Sequence, residues 1–296
     1  DVALATTSMA SLNGLGSIDS YYTDFYGHML TNGGTVAPTT SGAARVGDGV
    51  IPDGTRGVRA HGTQTFGTSF ARALGMNEMT AGADATAIAG PLIGGRFIPL
   101  VLPVNIVACD GGGDLDGVGE DEWALAEPGN PPSGQEYIVP LCKTDAGSFM
   151  VLDLDGIPNN CDEEVLNPPS IQLSTFPADL NSDNGNNCVK PMVDAMNTLQ
   201  GQVVLIPICD GDCVTSGGSQ ATYHIIKVAA FYLDFVSDRN GGLNDDCVGN
   251  GTTIIPITGN GSSSCLVGWF VRYVTSGPVG PGPVNGAAAI GVQLIK

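Results

Sequence analysis

The chain has 296 residues with 30 acidic and 11 basic side chains, a formal charge of −19, and 43 glycines and 19 prolines. So acidic a chain does not hold a phosphate backbone, which needs clustered Lys and Arg, and without a three-residue glycine period or heptads it is neither collagen nor coiled coil. Positive mean hydropathy with apolar runs excludes wholesale disorder and leaves a folded, loop-rich, β-leaning protein.

Residues 2–12 predict a short helix that stops at Asn13-Gly14. Residues 17–30 (SIDSYYTDFYGHML) place Ile18, Tyr21, Tyr22, Phe25, Tyr26 and Met29 at helical spacing and predict a second helix. Ser17 is its cap, Asp19 suits its first turn, and Asn32-Gly33 ends it. Residues 34–55 read as loop. Strands are predicted at 56–66, 79–90 and 96–109, and a short helix capped by Thr68 at 68–75. Pro99 and Pro103 suit an edge or a bulge. Further strands are expected at 136–142, 148–154, 202–209, 223–236, 252–257, 265–275 and 288–296, with one helix near 190–199.

This pattern predicts an α+β, β-rich fold: antiparallel sandwich-like sheets, N-terminal helices and one or two short helices, disulfide-bonded and rich in loops. Three regions are expected: 1–108 with the N-terminal helices and first strands, 109–276 rich in Cys, Asp and Asn, and 277–296 with a Pro/Gly linker and a terminal strand. They can equally form one integrated domain.

Cys109, Cys142, Cys161, Cys188, Cys209, Cys213, Cys247 and Cys265 all lie after residue 108. An even count in a loop-rich region reads as a disulfide framework in an oxidising compartment. Metal thiolates are the competing reading, but only Cys209 and Cys213 are close, and no partner pair at zinc spacing follows. Connectivity stays open, since eight cysteines allow on the order of a hundred pairings. The longest apolar stretch, 97–108, is too short to span a bilayer and holds two prolines. A secreted chain needs a leader, so residue 1 is expected to result from processing or truncation.

Five acidic clusters, at 110–122, 153–164, 179–188, 210–213 and 238–247, alternate oxygen ligands with glycine in a way that suits a hard cation such as Ca²⁺. The candidate ligands are Asp110, Asp114, Asp116, Asp153, Asp155, Asp179, Asn181, Asp183, Asp238, Asn240, Asn244 and Asp246. Asp179, Asn181 and Asp183 begin like an EF-hand loop, but Asn184 and Lys190 stand at its sixth and twelfth positions. Ordinary turn chemistry explains the same composition. No motif places two catalytic groups together: there is no G-x-S-x-G, H-E-x-x-H, phosphate loop or dinucleotide fingerprint, and His28, His61 and His224 lie far apart. Asn250 and Asn260 head glycosylation sequons.

Segments 56–92 (RGVRAHGTQTFGTSFARALGMNEMTAGADATAIAGPL), FIPLVLPV, GSFMVLDLDG, GQVVLIPICDG, YHIIKVAAFYLDF, CLVGWFVRYV and IGVQLIK follow one another in an order that resembles TadG-like proteins of the tight-adherence (Tad/Flp) pilus loci. There, a strand leads into an F-F-A-R-x-x-G helix, then an alanine-rich strand, and later G-x-W-L-D-L-x-G and V-x-I-P-V-x-D segments. The resemblance implies a cell-surface or periplasmic protein with an N-terminal membrane helix, and it implies no catalytic residue; DVALATTSMASLNG resembles the region just after that helix, so the anchor is expected to be either cleaved or omitted from the sequence given.

Together these features lead us to expect a non-enzymatic extracellular or cell-surface protein, structural or adhesive, in a bacterial filament or Tad-type pilus system. Its partners are copies of itself or other surface proteins, with no nucleic acid. The linker at 277–286 detaches a terminal strand whose Ala288, Ile290, Val292 and Leu294 form one face. Such a strand can complete the next subunit's sheet, or fold back onto its own. The alternative function is a calcium-dependent module that binds glycans or surfaces.

Overall fold

A computed structural model describes residues 2–12, 14–15, 17–68, 71–103, 137–140, 151–173, 176–183, 185–209, 222–237, 265–282 and 289–295. The fold is α+β and β-rich, with antiparallel sheets and few helices. The chain forms two compact units, residues 1–90 with 292–296, and residues 91–291.

In the first unit, helix α1 (Val2–Leu12) comes where the sequence places it. Among its described side chains Ala10 is the buried one, while Leu4, Met9 and Leu12 are exposed. The second predicted helix is a strand instead, β1 (Ser17–Thr23). Pairing with β2 overrides the helical stripe, and the strand's period of two buries Tyr21 and Thr23 on one face of β1. Asp24 then stops any continuation: its Oδ1 accepts from the N–H groups of Tyr26 (2.9 Å) and His28 (2.8 Å). Gly27 takes the left-handed φ of +82° that this turn requires.

Strand β1 pairs antiparallel with β2 (Gly57–Gly67), from Ser17 opposite Thr63 to Thr23 opposite Gly57. Strand β2 pairs with β3 (Glu78–Pro91) along its whole length. Between them the predicted helix is reduced to a 3-10 turn, Ala71–Leu74. Thr68 closes the loop rather than capping a helix, as its Oγ1 donates to Met76 O (2.6 Å). The far half of the β2–β3 hairpin is exposed on both faces, with Phe66 and Met79 open to solvent.

The second unit runs through β4 (Gly94–Arg96), β5 (Leu102–Pro103), β6 (Tyr137–Pro140), α2 (Cys161–Leu166), β7 (Ser170–Gln172), β8 (Ala178–Asn181), α3 (Gly185–Met196), β9 (Gln202–Cys209), β10 (Thr222–Ser237), β11 (Cys265–Phe270), β12 (Val274–Ser276) and the start of β13 (Ile290–Leu294). The expected strand at 96–109 is interrupted. Phe97, Leu100 and Val101 are buried, but regular pairing resumes only at Leu102–Pro103. Pro99, which has no N–H to give a ladder, sits inside the gap. The main sheet has the order β5–β9–β10–β11–β6, with β8 on the first residues of β10. All pairs are antiparallel except β5 with β9.

The long β10 is apolar on both sides, and its two-residue period divides the core. Ala229, Phe231 and Leu233 join Met192 and Met196 of α3 in one cluster. Val228 and Ala230 join Phe97 and Trp269 in the other, with Tyr232 stacked on Trp269 at 4.5 Å between ring centroids. Val151 and Leu152 of the expected 148–154 strand form single bridges to Leu100 and Ser182. The strand expected at 252–257 lies outside the described residues.

The end of β13 belongs to the first unit. There it lies next to β3, and Ile295 N–H donates to Thr86 O (3.0 Å). Its beginning belongs to the second unit, where Ile290 N–H donates to Tyr273 O (3.0 Å). Among the described residues, no helix is long and apolar enough to cross a membrane.

Candidate functional site

The acidic loop after residue 152 is anchored at both ends. Leu152 is fully buried, and Asp153 N–H donates to Asn181 O (2.9 Å). The loop then folds on its own carboxylates. Gly156 N–H donates to Asp153 Oδ1 (2.6 Å), Ile157 N–H to Asp155 Oδ1 (2.8 Å), and Asn160 Nδ2 to Asp155 Oδ2 (2.9 Å). Helix α2 follows at once and carries Glu164 back under the loop. Glu164 is only 1% exposed. Its Oε1 accepts from the N–H groups of Leu154 (2.7 Å) and Asp155 (3.0 Å), while its buried Oε2 has no hydrogen-bond partner.

One carboxylate oxygen from each of Asp153, Asp155 and Glu164 falls within 4.8 Å of the others. Burial pushes the Glu164 carboxyl up to about 7. The two backbone hydrogen bonds oppose this rise, and the charges of Asp155 and Asp153 add to it.

The same turn is tied to α3 by the disulfide between Cys161 and Cys188, whose Cα atoms are 5.5 Å apart. Asp183 Oδ2 lies 3.2 and 3.3 Å from the two sulfurs and accepts from Asn159 N–H (2.8 Å). Disulfide sulfurs are not thiolates, so Cys161, Cys188 and Asp183 do not form a thiolate metal site in this state. Cys209 and Cys265 are disulfide-bonded as well.

Asp179 and Asn181 belong to β8 rather than to a loop, and Asp179 Oδ1 is 2.8 Å from His224 Nδ1 on β10. Asp179, Asn181 and Asp183 are therefore not gathered around one point: the first meets His224, the second is exposed and the third meets the disulfide. His28 and His61 also lie against aspartates, Asp24 and Asp84. Asp110, Asp114, Asp116, Asp238, Asn240, Asn244 and Asp246 lie outside the described residues, as do Cys109, Cys142, Cys213, Cys247 and Ala288. Of the terminal face, Ile290 and Val292 are half-buried in β13 and Leu294 is exposed.

Glu164 is the residue that sequence reasoning missed. The signal was present: counted from Asp153, carboxylates stand at the first, third and twelfth positions. In the frame that starts at Asp179, the twelfth residue is a lysine.

No protein-family description matches the chain, and neither a curated protein nor a solved structure matches it.

Proposed function

We propose that this chain is a non-enzymatic structural or adhesive protein of a bacterial surface filament or Tad-type pilus system, working outside the cell. The observation that carries this reading is the placement of the C-terminal strand. The end of β13 (Ile290–Leu294) lies beside β3, in the sheet that β1, β2 and β3 of the first ninety residues begin. A terminal strand on a Pro/Gly-rich lead is the kind of element that two copies can exchange, because the neighbour's strand makes the same main-chain bonds.

The surface supports assembly too. Among the described residues, every exposed large apolar side chain except Ile157, Leu166 and Val274 belongs to the first unit. Those side chains are apolar surface that a neighbouring copy could cover. The disulfides suit an oxidising compartment, and the order of the TadG-like segments supports the pilus setting.

Deletion of residues 287–296 tests the exchange. Electron microscopy of the full chain is expected to show filaments that the deletion abolishes; unchanged filaments would rule out this tail as the donor. A second reading, a calcium-dependent module for glycans or surfaces, is favoured by the carboxylates at Asp153, Asp155 and Glu164. It predicts ligand binding that a chelator removes while the chain stays monomeric.

A further inference from the structure

We propose that Asp153, Asp155 and Glu164 hold a calcium ion. Glu164 Oε2 is buried and has no hydrogen-bond partner among the described residues. A buried carboxylate oxygen without a donor is costly, and native structures rarely leave one so. Glu164 cannot turn away to relieve this, since its other oxygen is fixed by two backbone N–H groups at 2.7 and 3.0 Å. The unpartnered oxygen therefore stays buried on a carboxylate that has one oxygen within 4.8 Å of an oxygen of Asp153 and of Asp155. Three carboxylates so close repel one another, and a divalent cation at their centre turns that repulsion into attraction.

The chemistry of the set selects the ion. All the ligands are hard carboxylate oxygens, with neither imidazole nor thiolate, which suits Ca²⁺ or Mg²⁺ over Zn²⁺ or Cu²⁺. Asp155 is exposed and Asp153 half-buried, so water can complete an irregular coordination shell. Calcium accepts such a shell, whereas magnesium demands a near-ideal octahedron. The spacing agrees. An EF-hand loop draws ligands from its first, third and twelfth positions, the last a glutamate, and these are Asp153, Asp155 and Glu164. The match is one of ligand spacing only, since Pro158 replaces the EF-hand glycine at the sixth position and Ile157 offers no side-chain ligand at the fifth. The ion would also pin the loop to α2, at whose first residue the Cys161–Cys188 bridge begins.

Calcium binding here does not depend on filament assembly, and the test keeps the two apart. The full chain, stripped with chelator, is titrated with Ca²⁺ by calorimetry and melted with and without the ion, beside Glu164→Gln and Asp155→Asn. The wild type is expected to melt higher with calcium. Each variant is expected to lose one equivalent of uptake, or at least about tenfold in affinity at that site. In chelator, Glu164→Gln is expected to melt no lower than the wild type, because its amide can donate to the Asp153 and Asp155 oxygens that the carboxylate repels.

Asp155→Asn changes an exposed side chain and keeps the test valid if the buried substitution fails to fold. Calcium uptake identical in wild type and variants, with all the ion held by other acidic loops, overturns the proposal. So does a wild type that takes up none. Filaments that survive either result leave the assembly reading standing.

Discussion

The two units of the chain solve stability differently. The second carries all eight cysteines and a strand, β10, that is buried on both faces between two apolar clusters. The first has no cysteine, and the far half of its β2–β3 hairpin is open to solvent on both sides. The β2–β3 hairpin is made largely of small residues, and with Phe66 and Met79 exposed it has little core to pack. The contrast teaches that cross-links and apolar core belong to one unit, while, among the described residues, most exposed large apolar side chains belong to the other.

The largest expected effect probes the core side of this contrast. Phe231→Ala should cost about 3–5 kcal/mol, because it empties a fully buried ring site beside Phe270, whereas Phe66→Ala should change stability by less than about 0.5 kcal/mol. Paired denaturant melts measure both, and equal losses would erase the distinction between the units.

Replacing Cys161 and Cys188 together by serine should cost about 2–4 kcal/mol. Hydrogen exchange should then speed up in α2 and α3 while β2 and β3 keep their protection. Loss of protection in both units would mean that they unfold as one.

The smallest effect lies in the first unit. Asp84 is held below the usual carboxylate range: burial pushes it upward, but Arg59 and His61 outweigh that push. A depressed folded pKa gives stability that is present above the ordinary carboxylate pKa of about 4 and is lost as pH falls through the folded value. Asp84→Asn should therefore lower the melting temperature slightly at pH 7, and the difference should vanish in acid. A pH-independent difference would show that the pair contributes nothing through charge.

Much of the sheet framework was legible in the sequence, because β9 and β10 are long apolar runs and β2 and β3 alternate over their length. The misread segment, 17–23, shows the limit of local pattern. Tyr21, Tyr22, Phe25 and Tyr26 satisfy a period of 3.6, but β1 ends at Thr23, and pairing with β2, some forty residues away, overrides the local pattern. Asp179 looked like a loop ligand for a similar reason: only its pairing opposite His224 makes it part of a strand. Glu164 stayed hidden because Cys161-Asp-Glu-Glu164 reads as a solvated helix face, and burial of its last residue is a tertiary fact. Asp153 and Asp155, by contrast, were visible from their alternation alone.

The most direct measurement is negative-stain imaging of the full-length chain under oxidising conditions with calcium. The account predicts filaments with a regular subunit repeat. Uniform monomers across the accessible concentration range would contradict it.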